Sequence, residues 1–300
     1  MSRLTANLIL LLTAFIWGSA FVAQSTAMSS VGPLSFTGMR FLIAAACLAP
    51  FALREARRYR HAPVSRAHVQ MFIVVGLVFF FAISLQQSAL VLTSVTNAGF
   101  LTGLYVVMVP MLGAIAFHDM PHPIVWPASV ASLVGIFLLG GGGLSGLNWG
   151  DGLVIVCAVF WAVHVLLVGR VGMASGRPLA LSFVQFAVVG VCAFVPGVLL
   201  EDLTWTGVKD VSFELLYTAV LSGGLAFTLQ VIGQRWTKAA DAAIILSSEA
   251  LFAAICGALF LGERLTPMGL AGCALIFASI VAVQVLPLFG RRRLVPPPGL

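Results

Sequence analysis

Ten continuous apolar runs restrict this chain to one class of fold. An α-helix rises ~1.5 Å per residue, so about 20 apolar residues cross a hydrocarbon layer of ~30 Å. Because the runs do not alternate between apolar and polar residues, a transmembrane β-barrel is excluded. We therefore predict an all-α integral membrane protein with ten transmembrane helices. The predicted spans are residues 4–26, 34–53, 69–92, 97–117, 123–140, 151–169, 179–200, 214–235, 240–261 and 267–288.

The composition argues against several other classes of protein. Hydrophobic residues make up 60% of the 300 positions and charged residues only 9%, whereas soluble domains carry about 25% charge. The net charge of +6 comes from short basic clusters between apolar runs, so we expect no nucleic-acid partner. The five cysteines lie inside apolar runs without CxxC spacing, and we expect no disulfide, metal or cofactor. The first run is too long for a signal-peptide core and is interpreted as a retained helix.

The distribution of basic residues predicts the orientation in the membrane. With the N-terminus inside, 13 of the 16 Lys and Arg residues fall in cytoplasmic segments. The other three are Arg40, Lys209 and Arg264. Since cytoplasmic loops are rich in Lys and Arg, we expect a multi-pass protein of the inner (plasma) membrane with both termini in the cytoplasm.

The two halves of the chain match at a fixed offset of 144 positions. The matched pairs are Trp17 with Trp161, Gln86 with Gln230, Thr93 with Thr237, Asn97 with Asp241 and Pro123 with Pro267. We therefore divide the chain into two repeats, 1–144 and 145–300, of five helices each. An odd number of helices gives the halves opposite orientations, and such inverted repeats are typical of secondary transporters with a site at the midplane.

Glu249 is an acid near the middle of the ninth apolar run. Placing a charge at that depth costs on the order of 3 kcal/mol, so such acids usually face a protein interior or a watered cavity. One interpretation is a role in the transport pathway, with proton coupling as an option. The alternative is a carboxyl group that only ties two helices together by hydrogen bonds.

Seven more residues are candidates for the wall of a central cavity, and each also has a purely structural interpretation. Mid-helix tryptophans suit an apolar or ammonium group but could pack at the repeat interface, and buried amides could bind solute or bridge helices. A lone histidine is more often bonded to a neighbouring helix, and only one of three consecutive phenylalanines can face a cavity. With Glu249, the candidates are Trp17, Phe79, Gln86, Tyr105, Trp161, His164 and Gln230.

Several short motifs resemble the EamA branch of the drug/metabolite transporter superfamily. They are Trp17-Gly18-Ser19-Ala20-Phe21, Arg40-Phe41, Leu85-Gln86-Gln87, Ser248-Glu249-Ala250 and the sequence from Leu261 to Pro267. The resemblance implies two EamA repeats around a central cavity, with the fifth and tenth helices bracing the outside. It also implies a structural role for Arg40, whose long side chain could otherwise extend to the membrane surface. The first half departs from the pattern, since Tyr105 occupies the register of Glu249.

The resemblance implies a carrier of amino acids, other metabolites or toxic cations. The expected cavity has aromatic walls, amides and one acid but no central pair of cations, which argues against phosphorylated cargo. We expect a secondary transporter of small amphipathic metabolites, amino acids above all, working by export or facilitated diffusion. Multidrug or toxic-cation efflux is the alternative. An intramembrane enzyme is a third possibility, although neither HExxH nor GxSxG occurs. The sequence leaves the oligomeric state open.

Overall fold

Helices form all the regular structure in the residues that the computed structural model describes, which are 1–93, 95–143, 148–260 and 266–290. The α-helices are α1 Arg3–Ala27, α2 Pro33–Arg58, α3 Arg66–Ala89, α4 Val95–Thr102, α5 Tyr105–Phe117, α6 Val125–Leu139, α7 Trp149–Ser175, α8 Pro178–Leu200, α9 Trp205–Asp210, α10 Ser212–Tyr217, α11 Phe227–Gln234, α12 Ala239–Leu246, α13 Glu249–Phe260 and α14 Pro267–Gly290. A π-helical segment, Thr218–Ala226, joins α10 to α11.

Nine helical stretches in this part of the chain are long and apolar enough to cross a bilayer. They agree with nine of the ten predicted spans and confirm the all-α membrane fold. The remaining span is α6, an apolar helix of 15 residues. At ~1.5 Å per residue it is about 22 Å long, so it is shorter than a typical hydrocarbon layer.

The two halves repeat the same helices in the same register. Residues 95–102 of α4 correspond to residues 239–246 of α12 at the offset of 144. The two helices end at equivalent positions of the repeats. A two-residue turn at Gly103-Leu104 separates α4 from α5, and another at Ser247-Ser248 separates α12 from α13. The fourth and ninth spans are therefore interrupted helices. Such interruptions are common where transporter helices line a cavity.

Helices related by the repeat also pack against one another. α2 lies along α8, and α6 lies along α14. In the second pair the backbones are close, since a Cβ added at Gly135 would lie 2.8 Å from the carbonyl oxygen of Gly272. Because glycine lets two helices approach to this distance, α6 and α14 form a tight brace. The resemblance implied this arrangement for the fifth and tenth spans.

Candidate solute-binding site

A central cavity lies between the two repeats, and six of the eight candidate residues line it. Its volume is about 520 Å³, a value that includes the space at its opening. The six residues are Trp17, Gln86, Tyr105, Trp161, Gln230 and Glu249. They form three pairs at the offset of 144. The repeat therefore brings corresponding positions of both halves to one cavity.

The other two candidates, Phe79 and His164, do not line the cavity. Both are fully buried, and their rings stack on each other with centroids 4.6 Å apart. The Nε2 atom of His164 lies 3.0 Å from the side-chain oxygen of Gln185 on α8. Phe79 contacts the cavity wall from behind, with its ring centroid 5.6 Å from that of Trp161. In the structure these residues support the wall from outside the cavity.

Three aromatic rings form one side of the cavity. The ring of Phe227 lies 4.5 Å from that of Trp17 and stacks nearly parallel to that of Trp161, at 6.0 Å. The two tryptophan rings are themselves 6.5 Å apart. The indole N–H of Trp17 donates a hydrogen bond of 3.3 Å to the carbonyl oxygen of Ser222. This bond fixes the orientation of the Trp17 ring on the cavity wall.

Arg40 also lines the cavity, and this position corrects the expectation that its side chain could extend to the membrane surface. Arg40 is 2% exposed. Its guanidinium donates to the Thr218 carbonyl oxygen at 3.2 Å, the Gln24 side-chain oxygen at 2.7 Å and the Ser222 hydroxyl at 2.9 Å. Thr218 and Ser222 belong to the π-helical segment. A π-helical segment alters the usual helical hydrogen bonding, and two of its carbonyl oxygens accept bonds from Arg40 and Trp17.

Glu249 is the first residue of α13 and follows the break in the ninth span. The structure brings α1 against α13 at this point. A Cβ added at Gly18 would lie 2.5 Å from the carbonyl oxygen of Glu249 and 2.8 Å from the nitrogen of Ala253. Gly18 thus lets the backbones of α1 and α13 touch. Trp17, which precedes Gly18 on α1, and Glu249 on α13 consequently line the same cavity.

The amides of the cavity differ in their partners. Gln86 donates a long hydrogen bond of 3.4 Å to the hydroxyl of Thr102. Gln230 is fully buried, yet neither polar atom of its side chain has a hydrogen-bond partner within the described residues. An unpaired buried amide costs about 1–3 kcal/mol. Gln230 is therefore suited to hydrogen-bond a solute in the cavity.

Two polar clusters lie at opposite ends of the bundle. At the N-terminal end, Arg3 pairs with Asp241 at 2.5 Å, and Thr237 donates to Asn7 at 2.9 Å. We call these four residues the N-terminal-end cluster. They connect α1 to the start of α12.

The opposite-end cluster consists of Thr93, Asn97, Asn148 and Asp151. Thr93 donates to Asp151 at 2.5 Å, and Asn97 donates to the same carboxylate at 3.3 Å. Asn148 and Asp151 form a reciprocal capping box that begins α7. At the offset of 144, Asp151 corresponds to Asn7, Thr93 to Thr237 and Asn97 to Asp241. Three of the four positions in each cluster are therefore equivalent in the two repeats, whereas the equivalents of Arg3 and Asn148 are leucines, Leu147 and Leu4.

Comparison with known proteins agrees with this architecture. The EamA-like transporter family matches the chain twice, over residues 4–141 and 148–284. The chain belongs to this family. An EamA-like chain with a cavity at the repeat interface has the architecture expected of a secondary transporter.

Relatives of this EamA-like transporter are similar over nearly their whole length. An "Uncharacterized transporter" of Archaeoglobus fulgidus is 31% identical over 284 residues, which cover 94% of this chain and 87% of the relative. The "Uncharacterized transporter YwfM" of Bacillus subtilis is 25% identical over 299 residues and 94% of each chain. One solved crystal structure has a TM-score of 0.79 at 18% identity, with 98% of this chain and all of the other covered. That likeness shows the fold alone.

Sequence reasoning on this EamA-like transporter missed Gln24, Arg40, Thr102, Ser222 and Phe227, all of which line the cavity. Phe227 had a usable signal, because it lies three residues before Gln230 and shares its helix face. Arg40 and Ser222 had no such signal, since they meet only through the tertiary packing of α2 on the π-helical segment. The most specific part of the family resemblance is the ending Gly262–Pro267, of which Gly262 to Leu265 lie outside the described residues. Arg291, Arg292 and Arg293 also lie outside them.

Proposed function

We propose that this EamA-like protein transports small amphipathic metabolites, in particular amino acids, and that the solute binds in the central cavity. The observation that carries the proposal is the set of chemical groups on the cavity wall. Two indoles and a phenylalanine ring supply apolar surface, while Glu249 and Gln230 supply acceptors for an ammonium group.

We further propose alternating access, with the two polar clusters as gates. Each cluster joins the first helix of one repeat, α1 or α7, to the start of the interrupted helix of the other repeat and to the connection before it. Inverted repeats exchange their conformations when access changes sides. Opening toward the N-terminal end would separate Arg3 from Asp241, whereas opening toward the other end would separate Asp151 from Thr93. Both clusters are formed in the structure, with the cavity between them.

The membrane arrangement belongs to the same proposal. We place the protein in the inner membrane with both termini in the cytoplasm, on the strength of the basic bias of the sequence. The boundary between repeats falls at residues 144 and 145, within the interval between the two family matches. The proposed mode is export or facilitated diffusion, and any proton coupling would use Glu249.

Toxic-cation efflux is a second candidate because Glu249 and the indole faces suit a cation. The buried charge of Arg40 opposes a solute that carries only positive charge. The two candidates differ in one measurement, counterflow in proteoliposomes loaded with unlabelled solute. We expect uptake of radiolabelled amino acids with apolar side chains. Uptake of a quaternary ammonium compound with no uptake of any amino acid would overturn the proposal.

A further inference from the structure

Arg40 is a buried cation on the cavity wall, and no carboxylate pairs with it within the described residues. The two ion pairs found there are Arg3 with Asp241 and Arg170 with Asp119. All three acceptors of the Arg40 guanidinium are neutral oxygens. A buried charge without a counter-charge is costly. Glu249 lines the same cavity, but it forms no ion pair with Arg40. The guanidinium therefore lacks a directly paired anion, and it borders the open space of the cavity.

The guanidinium retains capacity for an anionic ligand. It has five N–H donors, and the three bonds use one each on Nε, Nη1 and Nη2. One N–H remains on each terminal nitrogen. The three existing bonds hold the group in place, so little conformational entropy is lost when an anion binds.

Gln24, Arg40 and Ser222 form a polar group on the cavity wall that the repeat does not duplicate. Ten of the lining residues form five pairs at the offset of 144, including Tyr105 with Glu249. Gln24, Arg40 and Ser222 have no polar counterparts, because the equivalent positions are Val168, Val184 and Val78. Val78 lies in the first repeat and Val168 and Val184 in the second, so both repeats form the equivalent helical positions with an apolar residue. The helical architecture therefore does not require this polar group, which gives the cavity a cationic side.

We propose that Arg40 binds the carboxylate group of the solute, while Glu249 accepts its ammonium group. This inference rests on the proposed transport function and narrows the solute to molecules that carry both groups, as α-amino acids do. Charge-assisted hydrogen bonds to a carboxylate are roughly twice as strong as neutral ones. A phosphate ester is disfavoured since its second negative charge would face Glu249.

Three solutes that share a phenyl ring on a two-carbon chain test the proposal: phenylalanine, phenethylamine, which lacks the carboxylate, and 3-phenylpropionate, which lacks the ammonium. Their competition against labelled phenylalanine counterflow is measured in proteoliposomes. With wild-type protein we expect phenylalanine to bind about tenfold tighter than either analogue, the value of one lost charge-assisted bond. Equal affinity for phenylalanine and phenethylamine would overturn the proposal while leaving transport itself established. Absence of any counterflow would instead count against the proposed function.

Arg40→Gln separates a binding role from a structural one. If Arg40 binds the carboxylate, the variant loses about tenfold in affinity for phenylalanine and keeps its affinity for phenethylamine. If Arg40 only supports the π-helical segment, affinity for both solutes falls together, and the proposal is wrong. Arg170→Gln, the same change at a half-exposed arginine of α7, is the control and should match the wild type. Should Arg40→Gln fail to fold, the wild-type comparison of the three solutes decides alone.

Discussion

Tyr105 and Glu249 occupy the same position in the two repeats, and each is the first residue after the break in an interrupted helix. Both side chains line the central cavity. The repeat thus places a polar group at the same point of each half, but only the second half has a carboxyl group there. This difference makes Glu249 the residue on which proton coupling can be tested.

Glu249→Gln is expected to abolish solute accumulation driven by a pH gradient and to retain solute exchange at saturating concentration. An amide cannot release a proton, yet its oxygen still accepts a hydrogen bond from an ammonium group. The measurement compares gradient-driven uptake with counterflow in the same proteoliposomes. Tyr105→Phe is the matched control on the other repeat and should keep gradient-driven uptake. Accumulation by Glu249→Gln equal to the parent would remove Glu249 from the coupling step.

Trp17→Ala and Trp161→Ala should each reduce the transport rate about tenfold, since one lost aromatic contact is worth roughly 1.4 kcal/mol. The measurement is initial counterflow at a subsaturating solute concentration and equal protein content. Trp149→Ala removes a tryptophan that is 79% exposed at the start of α7, and it should leave transport unchanged. Wild-type rates in both cavity variants would assign the pair to packing alone.

Gly18→Ala should destabilise the protein by about 1–3 kcal/mol, the usual cost of forcing extra atoms into a packed interior. The added Cβ would lie 2.5 Å from the carbonyl oxygen of Glu249, so α1 and α13 must separate. A lower unfolding temperature in detergent measures the effect. Gly152→Ala is the control, because nothing lies within 4 Å of a Cβ at that position. Equal unfolding temperatures for the two variants would contradict the close contact.

The spans and the repeat could be predicted because the residue types alone indicate them, without any knowledge of tertiary contacts. Long apolar runs mark the helices, and uncommon residues such as Trp17 and Trp161 mark the register. The helix breaks were not predictable in this way. Ser247 and Ser248 lie in an apolar run that is compatible with one continuous helix. Arg40 donates to the π-helical segment, and neither the segment nor the burial of Arg40 can be predicted before α2 packs against the eighth span.

The repeat predicted the candidate residues that it doubles, and the position of an acid at membrane depth predicted Glu249. Cavity residues whose equivalents are apolar were missed. Gln86 and Gln230 were predicted because each recurs at the equivalent position of the other repeat, and the same holds for Trp17 and Trp161. His164 has no polar equivalent in the first half, and the structure places it behind the wall. Gln24 and Ser222 also lack polar equivalents but lie on the wall, because Arg40 binds both. The polar asymmetry of the cavity is thus a tertiary property.

Cysteine labelling in intact cells tests the orientation. Ser65 and Ser212 are both exposed and lie at opposite ends of the bundle. We expect an impermeant thiol reagent to label Ser212→Cys and not Ser65→Cys, since the positive-inside rule places Ser65 in the cytoplasm. The unmodified chain, with its five native cysteines, supplies the background. The reverse labelling pattern would invert the topology.

Asp241→Asn tests the gating role of the N-terminal-end cluster. The change removes the ion pair with Arg3 and gives the position the residue type of its equivalent, Asn97. We expect a shift toward the conformation open at the N-terminal end. Since Arg3 is 41% exposed, the pair is worth about 1 kcal/mol or less, which limits the shift to about fivefold.

The matched variant, Asp151→Asn, weakens the opposite-end cluster and should shift the equilibrium the other way. A cysteine at Thr102 on the cavity wall reports both effects through its rate of modification from each side of the membrane. Opposite changes in the two variants are the signature of two gates around one cavity. If both variants change the rates in the same direction, the clusters only hold the bundle together. The ion pair of Arg3 with Asp241 at one end and the hydrogen bonds to Asp151 at the other would then have no part in choosing which side of the membrane the cavity faces.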